Sequence, residues 1–362
     1  MFEDIIGQEK VIKFFKNAII NERLSQAYIF YGPQGTGKEA IAFEIARSIN
    51  CKNTDSIPCT KCSSCIKINK MEHPDVEYII PIFSKSKDEE IYEKKKKKIQ
   101  NPYQRIMFEG NTSISIDTIR NLKNSSIFKP FEGKKKIAII SNAEKMTIQA
   151  ANSILKLLEE PPKDMLFILT TEDQRLILPT IQSRCTGIKF LPLQSEEIKN
   201  ALLNNFKIDE NDAEIISIIS EGNYTKAAEF LQEGIKEISE FAEKFIEIVS
   251  SNNSHLYLDF AEVLSKKRDL SFVKDFLSIF NQWVKEAIHL IIKSEKQKEL
   301  EIGTFGNKPI NQLMECFTCD ELELIKSEIE NSIDLINKNI YLNLILINLS
   351  INIKRILKKA YK

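Results

Sequence analysis

The 362-residue chain lacks a net charge, because 51 Lys and Arg balance 51 Asp and Glu. A bulk nucleic-acid binder carries a basic excess, so any DNA contact is expected to be local or shared with partners. The chain also has no apolar run approaching the ~18 residues that a membrane helix requires. Its opening, Met-Phe-Glu-Asp-Ile-Ile, has neither the basic start nor the apolar core of a signal peptide. A cytoplasmic chain is expected, and its seven cysteines are not expected to form structural disulfides. Strand-like segments are missing from the second half: none is recognisable after Leu193. What is present, 43% hydrophobic residues, is enough for the cores of two or three domains.

The first half alternates short apolar runs with helical spacing. Residues 9–23 carry Val11, Ile12, Phe14, Phe15, Ala18 and Ile19 at amphipathic positions. Apolar runs lie at 27–31, 76–80, 136–140 and 165–170. Residues 38–49, 116–127 and 147–159 have helical patterns, the last capped by Thr147 and stopped by Pro161-Pro162. Strands alternating with helices predict an α/β domain with a parallel sheet, over residues 1–190. Three short helices at 195–205, 210–220 and 224–234 predict a small helical lid over 191–240. The Ile-, Leu-, Lys- and Glu-rich remainder predicts an all-α domain over 241–362. Residues 82–112, which include five consecutive lysines at 94–98, read as a polar, solvated insertion. A basic tongue facing DNA or a partner is the alternative.

Between the first run and the second helix stands Gly32-Pro-Gln34-Gly35-Thr36-Gly37-Lys38-Glu39. The pattern G-x-x-x-x-G-K-[ST] makes a phosphate-binding loop after a strand and before a helix. Gly32, Gly37 and Lys38 are in place, whereas Glu39 replaces the hydroxyl that serves magnesium. Such a site also needs acids at the end of a second strand, one for the metal and one for the attacking water. The strand at 136–140 runs instead into Ser141-Asn142, with Glu144 two positions further and expected to be structural. Three defects together predict a loop that does not hydrolyse ATP. Glu39 either repels a triphosphate or recruits Mg²⁺ directly.

Cys51, Cys59, Cys62 and Cys65 have the spacing C-x7-C-x2-C-x2-C, which can close a tetrahedron around Zn²⁺ in a module spanning about 50–70. An iron–sulfur cluster uses the same ligands, and four incidental thiols are the remaining reading. Cys316 and Cys319 form another C-x2-C without a second pair, and read as ordinary thiols of a helical region. Cys185 reads as a small apolar residue at a strand start. Arg184, taken alone, reads as an arginine paired with a carboxylate on a turn.

These motifs converge on one family. The sequence resembles the AAA+ clamp-loader subunits of bacterial DNA polymerase III, and the delta-prime kind more than gamma/tau. The resemblance rests on Phe2-Glu3-Asp4-Ile5-Ile6-Gly7-Gln8, the near-complete P-loop, the four cysteines and His73-Pro74-Asp75. It rests most on the segment from Ala150 to Pro162 (AANSILKLLEEPP) and on Leu178-Pro179-Thr180-Ile181-Gln182-Ser183-Arg184-Cys185. It covers residues 1–235 strongly, and the remainder only as a helical collar. It implies that Arg184, flanked by Ser183 and Cys185, is a finger supplied in trans to ATP on a neighbouring subunit. It implies that Thr170 or Thr171 lies where the γ-phosphate is sensed. In Gly222-Asn223-Tyr224-Thr225-Lys226-Ala227, Thr225 stands where active subunits offer an arginine. The implied partners are gamma/tau and delta subunits in a hetero-pentameric ring, the sliding clamp and primer–template DNA. The implied cofactor is structural zinc, with ATP or ADP at residues 32–39 in question. Polymerase activity belongs to the assembly. Two other readings compete: an active gamma/tau-type ATPase, which predicts turnover by the chain alone, and a zinc-containing nucleic-acid module with a vestigial nucleotide site, which predicts tight, salt-sensitive DNA binding.

Overall fold

The computed structural model describes residues 1–53, 57–233, 235–250, 260, 263–264, 270–296, 308–338 and 341–359. The chain forms two compact units, residues 1–229 and 230–362.

The first unit is built on five parallel strands. In chain order, β1 is Ala27–Tyr31, β2 Val76–Ile79, β3 Ile82–Phe83, β4 Thr112–Ser113, β5 Lys136–Ile140, β6 Met165–Thr171 and β7 Thr186–Lys189. The main sheet has the order β2-β5-β6-β1-β7, and every neighbouring pair is parallel. A parallel sheet covered on both faces needs apolar residues at nearly every central position, and all seven residues of β6 are buried. Alternate side chains feed two cores. Tyr28 and Phe30 of β1 join Phe15 of α1 (Glu9–Ile20) and Ile41 and Ile45 of α2 (Lys38–Asn50) on one face. Ala27 and Ile29 join Ile119 and Leu122 of one helix and Ile154 of another on the opposite face. Those two helices, Ile116–Ser126 and Ile148–Glu159, begin at Ser115 and Thr147, whose hydroxyls accept N–H from Thr118 and Ala150. The sheet and helices fall where the periodicity predicts. Helices Ser195–Asn205, Glu210–Ile219 and Tyr224–Glu233 follow the sheet.

The insertion departs from expectation. β3 and β4 pair antiparallel at its base, and between them runs the helix Asp88–Gln100. Ile99 and Tyr103 are buried, and Ile106 and Phe108 pack half-buried against the first core. Of the five lysines, Lys97 is exposed, Lys94 pairs with Glu90 at 2.6 Å, and Lys98 is only 8% exposed. The stretch is therefore neither a solvated loop nor a free tongue. Its few apolar residues anchor it, and the burial of Lys98 is possible because a carboxylate meets it.

The second unit is helical among the described residues: Ile235–Ser250, Leu270–Lys296, Lys308–Cys316, Cys319–Asn337 and Leu342–Lys359. Phe245 packs edge-on against Phe276 and Phe280, and Val284, Ile325, Ile329 and Ile353 are fully buried in the same unit. Cys316 ends one helix and Cys319 begins the next, across a turn where Thr318 and Glu321 form a capping box. Among the described residues no helix is long and apolar enough to cross a membrane.

His73-Pro74-Asp75 proves to be a structural device. Asp75 accepts the backbone N–H groups of Phe131, Glu132 and Gly133 at 2.7, 2.8 and 2.7 Å, tying the loop before β5 to the start of β2. Burial pushes its carboxyl up, but the three N–H donors outweigh that and hold it below its ordinary value. Asp75→Ala orphans these donors and is expected to cost about 2–3 kcal/mol in urea unfolding at neutral pH. Because the folded value is depressed, the stabilisation is present above the ordinary carboxylate range and lost as pH falls below it. The gap between wild type and variant should close on acidification.

Candidate nucleotide site and cysteine centre

The sequence from β1 into α2 makes the loop. Gly35 and Gly37 have φ of +66° and +90°, a region that side chains rarely adopt. A Cβ on Gly37 would lie 2.9 Å from the Tyr103 hydroxyl, so the insertion sits directly on the loop. Lys38 turns back, its Nζ donating to the carbonyls of Gly32 and Pro33 at 2.7 and 2.6 Å. Burial pushes its pKa down to about 8 against the pull of Glu39, Glu172 and Glu144.

Glu39 is enclosed. Its Oε1 accepts the Tyr78 hydroxyl at 2.7 Å and the Ser141 hydroxyl, and its Oε2 meets Lys98 Nζ at 2.6 Å. Lys98 also donates to the Gln104 carbonyl at 2.7 Å. Burial pushes the Glu39 carboxyl up, but the charge and hydrogen bond of Lys98, with the two hydroxyls, hold it below its ordinary value. The same burial and the nearby Glu39 charge raise the Tyr78 phenol well above its own.

A cavity of about 360 Å³ opens over the loop, lined by residues 34–39 and by Lys98, Ser141, Asn142, Thr170 and Thr225 among others. Thr170 accepts the Asn142 N–H at 3.2 Å and faces this space, whereas Thr171 donates to the Asp173 carbonyl and does not line it. Thr225 donates to the Tyr103 carbonyl, and the Tyr224 N–H reaches the Gly35 carbonyl at 3.2 Å. Of the residues expected at a nucleotide site, Gln34 to Glu39 and Thr170 line this space together, whereas Gly32 and Thr171 do not. Asn142 Nδ2 reaches Glu144 Oε1 at 3.2 Å.

Arg184 lies outside the cavity lining. It is on the surface after the short helix Pro179–Gln182, donating to Glu159 at 2.6 Å and to the Thr180 carbonyl at 2.6 Å. Cys185 is partly buried, and burial pushes its thiol up to about 12.

The four cysteines form the second site. Their Sγ atoms all lie within 4.8 Å of one another. N–H groups of Cys59, Cys62 and Cys65 point at Cys51, Cys59 and Cys62 sulfur at 3.4, 3.2 and 3.5 Å. Four converging sulfurs, three of them receiving N–H groups, suit a thiolate-bound metal ion.

Sequence reasoning missed Lys98, Tyr78, Tyr103, Arg105 and Glu159. The signal available for the first group was the scatter of Ile99, Tyr103, Ile106 and Phe108 through a polar stretch, since apolar residues at such spacing seek a core.

A glycine loop after β1, a five-stranded parallel sheet and a helical segment beyond it define an AAA+-like P-loop protein carrying a cysteine centre. The family model for "DNA polymerase III, delta subunit" matches residues 7–194. The delta' subunit of Bacillus subtilis DNA polymerase III is 32% identical over 78% of this chain and 72% of its own length. The tau subunit of the same organism is 29% identical over 65% of this chain, which spans only 38% of tau. A gamma subunit-related protein of Thermotoga maritima aligns with 95% of this chain and 99% of its own, at 19% identity and a TM-score of 0.43. The chain belongs to the delta-prime family of DNA polymerase III clamp-loader subunits, which is related to gamma/tau.

Lys98→Met strands the enclosed Glu39 charge and is expected to cost roughly 3–5 kcal/mol. The double variant Glu39→Gln, Lys98→Met should recover much of this loss. A double-mutant cycle in thermal unfolding measures the coupling; additive losses would show that the pair does not interact.

Proposed function

We propose that this chain is a delta-prime-type clamp-loader subunit that does not hydrolyse ATP itself and supplies Arg184 in trans to ATP held by a neighbouring subunit. The observation that carries the reading is the state of Glu39. Where a hydroxyl would serve magnesium, there is a carboxylate already engaged by Lys98, Tyr78 and Ser141. The residues after β5, where the acids should stand, are neutral Ser141 and Asn142. Nothing in this pair can polarise water or carry a metal's charge. Arg184 supports the trans role by lying outside its own chain's cavity, in an ion pair with Glu159 whose members are 31% and 47% exposed. Such a pair is worth about 0–1 kcal/mol, so a neighbour's phosphate can take the guanidinium from it.

On this reading the subunit works in the cytoplasm, in a hetero-pentameric ring with gamma/tau and delta subunits. Residues 191–240 act as a lid and 241–362 as a collar holding the ring. ATP on the neighbours fixes the form that opens the sliding clamp, and entry of primer–template DNA triggers hydrolysis next door. The cysteine centre holds structural zinc, which supplies a cross-link and no chemistry. Cys51, Cys59, Cys62 and Cys65 would be its ligands, and the metal would brace the module that Lys67 ties to Glu132 at 2.8 Å.

ATP turnover by the purified chain, and then by the reconstituted ring with clamp and primed DNA, tests the reading. The chain alone should be silent. Arg184→Ala should lower the DNA-stimulated turnover of the ring by roughly 10³-fold at the one site it serves, while leaving the chain folded. Robust turnover by the chain alone, or an unchanged ring, would overturn it. Cys62→Ser should release the metal, read by elemental analysis, and loosen residues 57–70, read by hydrogen exchange; full metal content would remove Cys62 from the ligand set.

A further inference from the structure

The P-loop of this chain does not fit a magnesium nucleotide. Magnesium takes six oxygens at about 2.0–2.1 Å and dehydrates reluctantly. The one acid within the loop is Glu39. Its Oε1 already accepts two hydroxyls, and its Oε2 is held by Lys98. A metal could reach that carboxylate only by expelling an ammonium that is itself buried and bonded to the Gln104 carbonyl. Ser141 donates its hydroxyl hydrogen bond to Glu39, and Asn142 offers no charge.

The phosphate cradle itself is intact. The glycines keep their positive φ, Lys38 lies in the loop, and the cavity of about 360 Å³ stands open over α2's first turn. That volume lies within the range of small-molecule sites, about 300–1,000 Å³. Its lining carries four cationic side chains, Lys38, Lys98, Arg105 and Lys145, against two anionic ones, Glu39 and Glu172. Glu39 does not make the cavity repel an anion, because Lys98 cancels its charge from 2.6 Å away.

We propose that this cavity binds the phosphate chain of a nucleoside di- or triphosphate free of magnesium, with the Lys98 ammonium as the built-in counter-charge to Glu39. The insertion is then part of the site. It carries Lys98 on its helix and Tyr103 against Gly37. Arg105 lies beside them, donating to Gln34 of the loop at 3.2 Å. A nucleotide held this way has no metal to polarise its terminal phosphate, so it is a bound ligand and not a substrate.

Two side observations agree with an anion in this place. Lys38 is held to the loop's own carbonyls, an arrangement that an incoming phosphate can replace with better partners. Its pKa of about 8 also means that it carries less charge as pH rises through that value, so affinity should weaken in the same window.

The test is a titration of the purified full chain with fluorescent ADP and ATP analogues, in excess EDTA and again in millimolar Mg²⁺. Unlabelled pyrophosphate serves as a competitor. Tighter apparent binding in EDTA than in Mg²⁺ is the expected result, because millimolar Mg²⁺ draws most of the nucleotide into a complex that the site does not take. Displacement by pyrophosphate would mean that the phosphates carry recognition, and its failure would remove the phosphate-chain claim. Lys98→Met should weaken binding in EDTA by roughly 10–100-fold through the uncovered Glu39 charge, with Mg²⁺ recovering part of it. Because that variant strands a charge and can misfold, Glu39→Thr with Lys98→Met is the companion. It restores the loop hydroxyl and should bind more tightly in Mg²⁺ than in EDTA. Wild-type affinity that is equal in the two media or falls in EDTA, or no binding in either medium, would overturn the proposal. The titration does not involve Arg184, so its failure leaves the trans-acting reading standing. A ring left unchanged by Arg184→Ala equally leaves the titration intact.

Discussion

The ion pair between Glu39 and Lys98 is the constraint on which the functional half of this molecule depends. Both partners are mostly withdrawn from water, and neither is tolerable there alone, since removing an ion from water costs several kcal/mol. Together they set three things at once. They hold the insertion down on the phosphate loop, neutralise the carboxylate that stands in place of a hydroxyl, and occupy the oxygen that a metal would need. The pair is reinforced by Tyr78 from β2 and Ser141 from the end of β5. Two parallel strands, the loop helix and the insertion therefore meet at one carboxylate.

On the proposed reading, the chain keeps the machinery for holding a phosphate and has lost the machinery for cleaving it. The glycines, Lys38 and the helix start belong to the first; a metal ligand and a base belong to the second. Arg184 follows a different logic. Its partner Glu159 closes the helix Ile148–Glu159, so the same segment that packs Ile154 into the core also presents the carboxylate that orients the arginine. An exposed ion pair of this kind orients a side chain without committing it. The cysteine centre is a third, separate device. The Asp75 knot joins β2 to the loop preceding β5, and Lys67, beside Cys65, pairs with Glu132 of that loop.

The regular elements were legible because the signals agree: alternating faces in β1, an unbroken apolar run in β6, and caps at Thr147 with a stop at Pro161-Pro162. The glycine loop and the cysteine spacing were legible because phosphate and metal chemistry demand particular residues at particular intervals. The insertion was not. A run of lysines is usually a solvated face, and nothing local to Lys98 separates it from Lys97. Only the distant Glu39, 59 residues earlier in the numbering of the same pair, gives Lys98 a reason to be buried. Arg184 shows a milder form of the same difficulty. Its pairing with a carboxylate was readable in kind, but nothing local singled out Glu159, 25 residues away, as the partner.

The amino-acid order by itself determined the family, the α/β unit followed by helices, the phosphate loop with its missing hydroxyl, and the four-sulfur cluster. Each of these is written in residues close together in the chain, where spacing alone sets geometry. Tertiary structure decided what surrounds Glu39 and what Lys98 is for. Charges pair through space, and the energy of a pair depends on how far both members are removed from water. That removal is a property of the packed core and not of any local stretch of sequence.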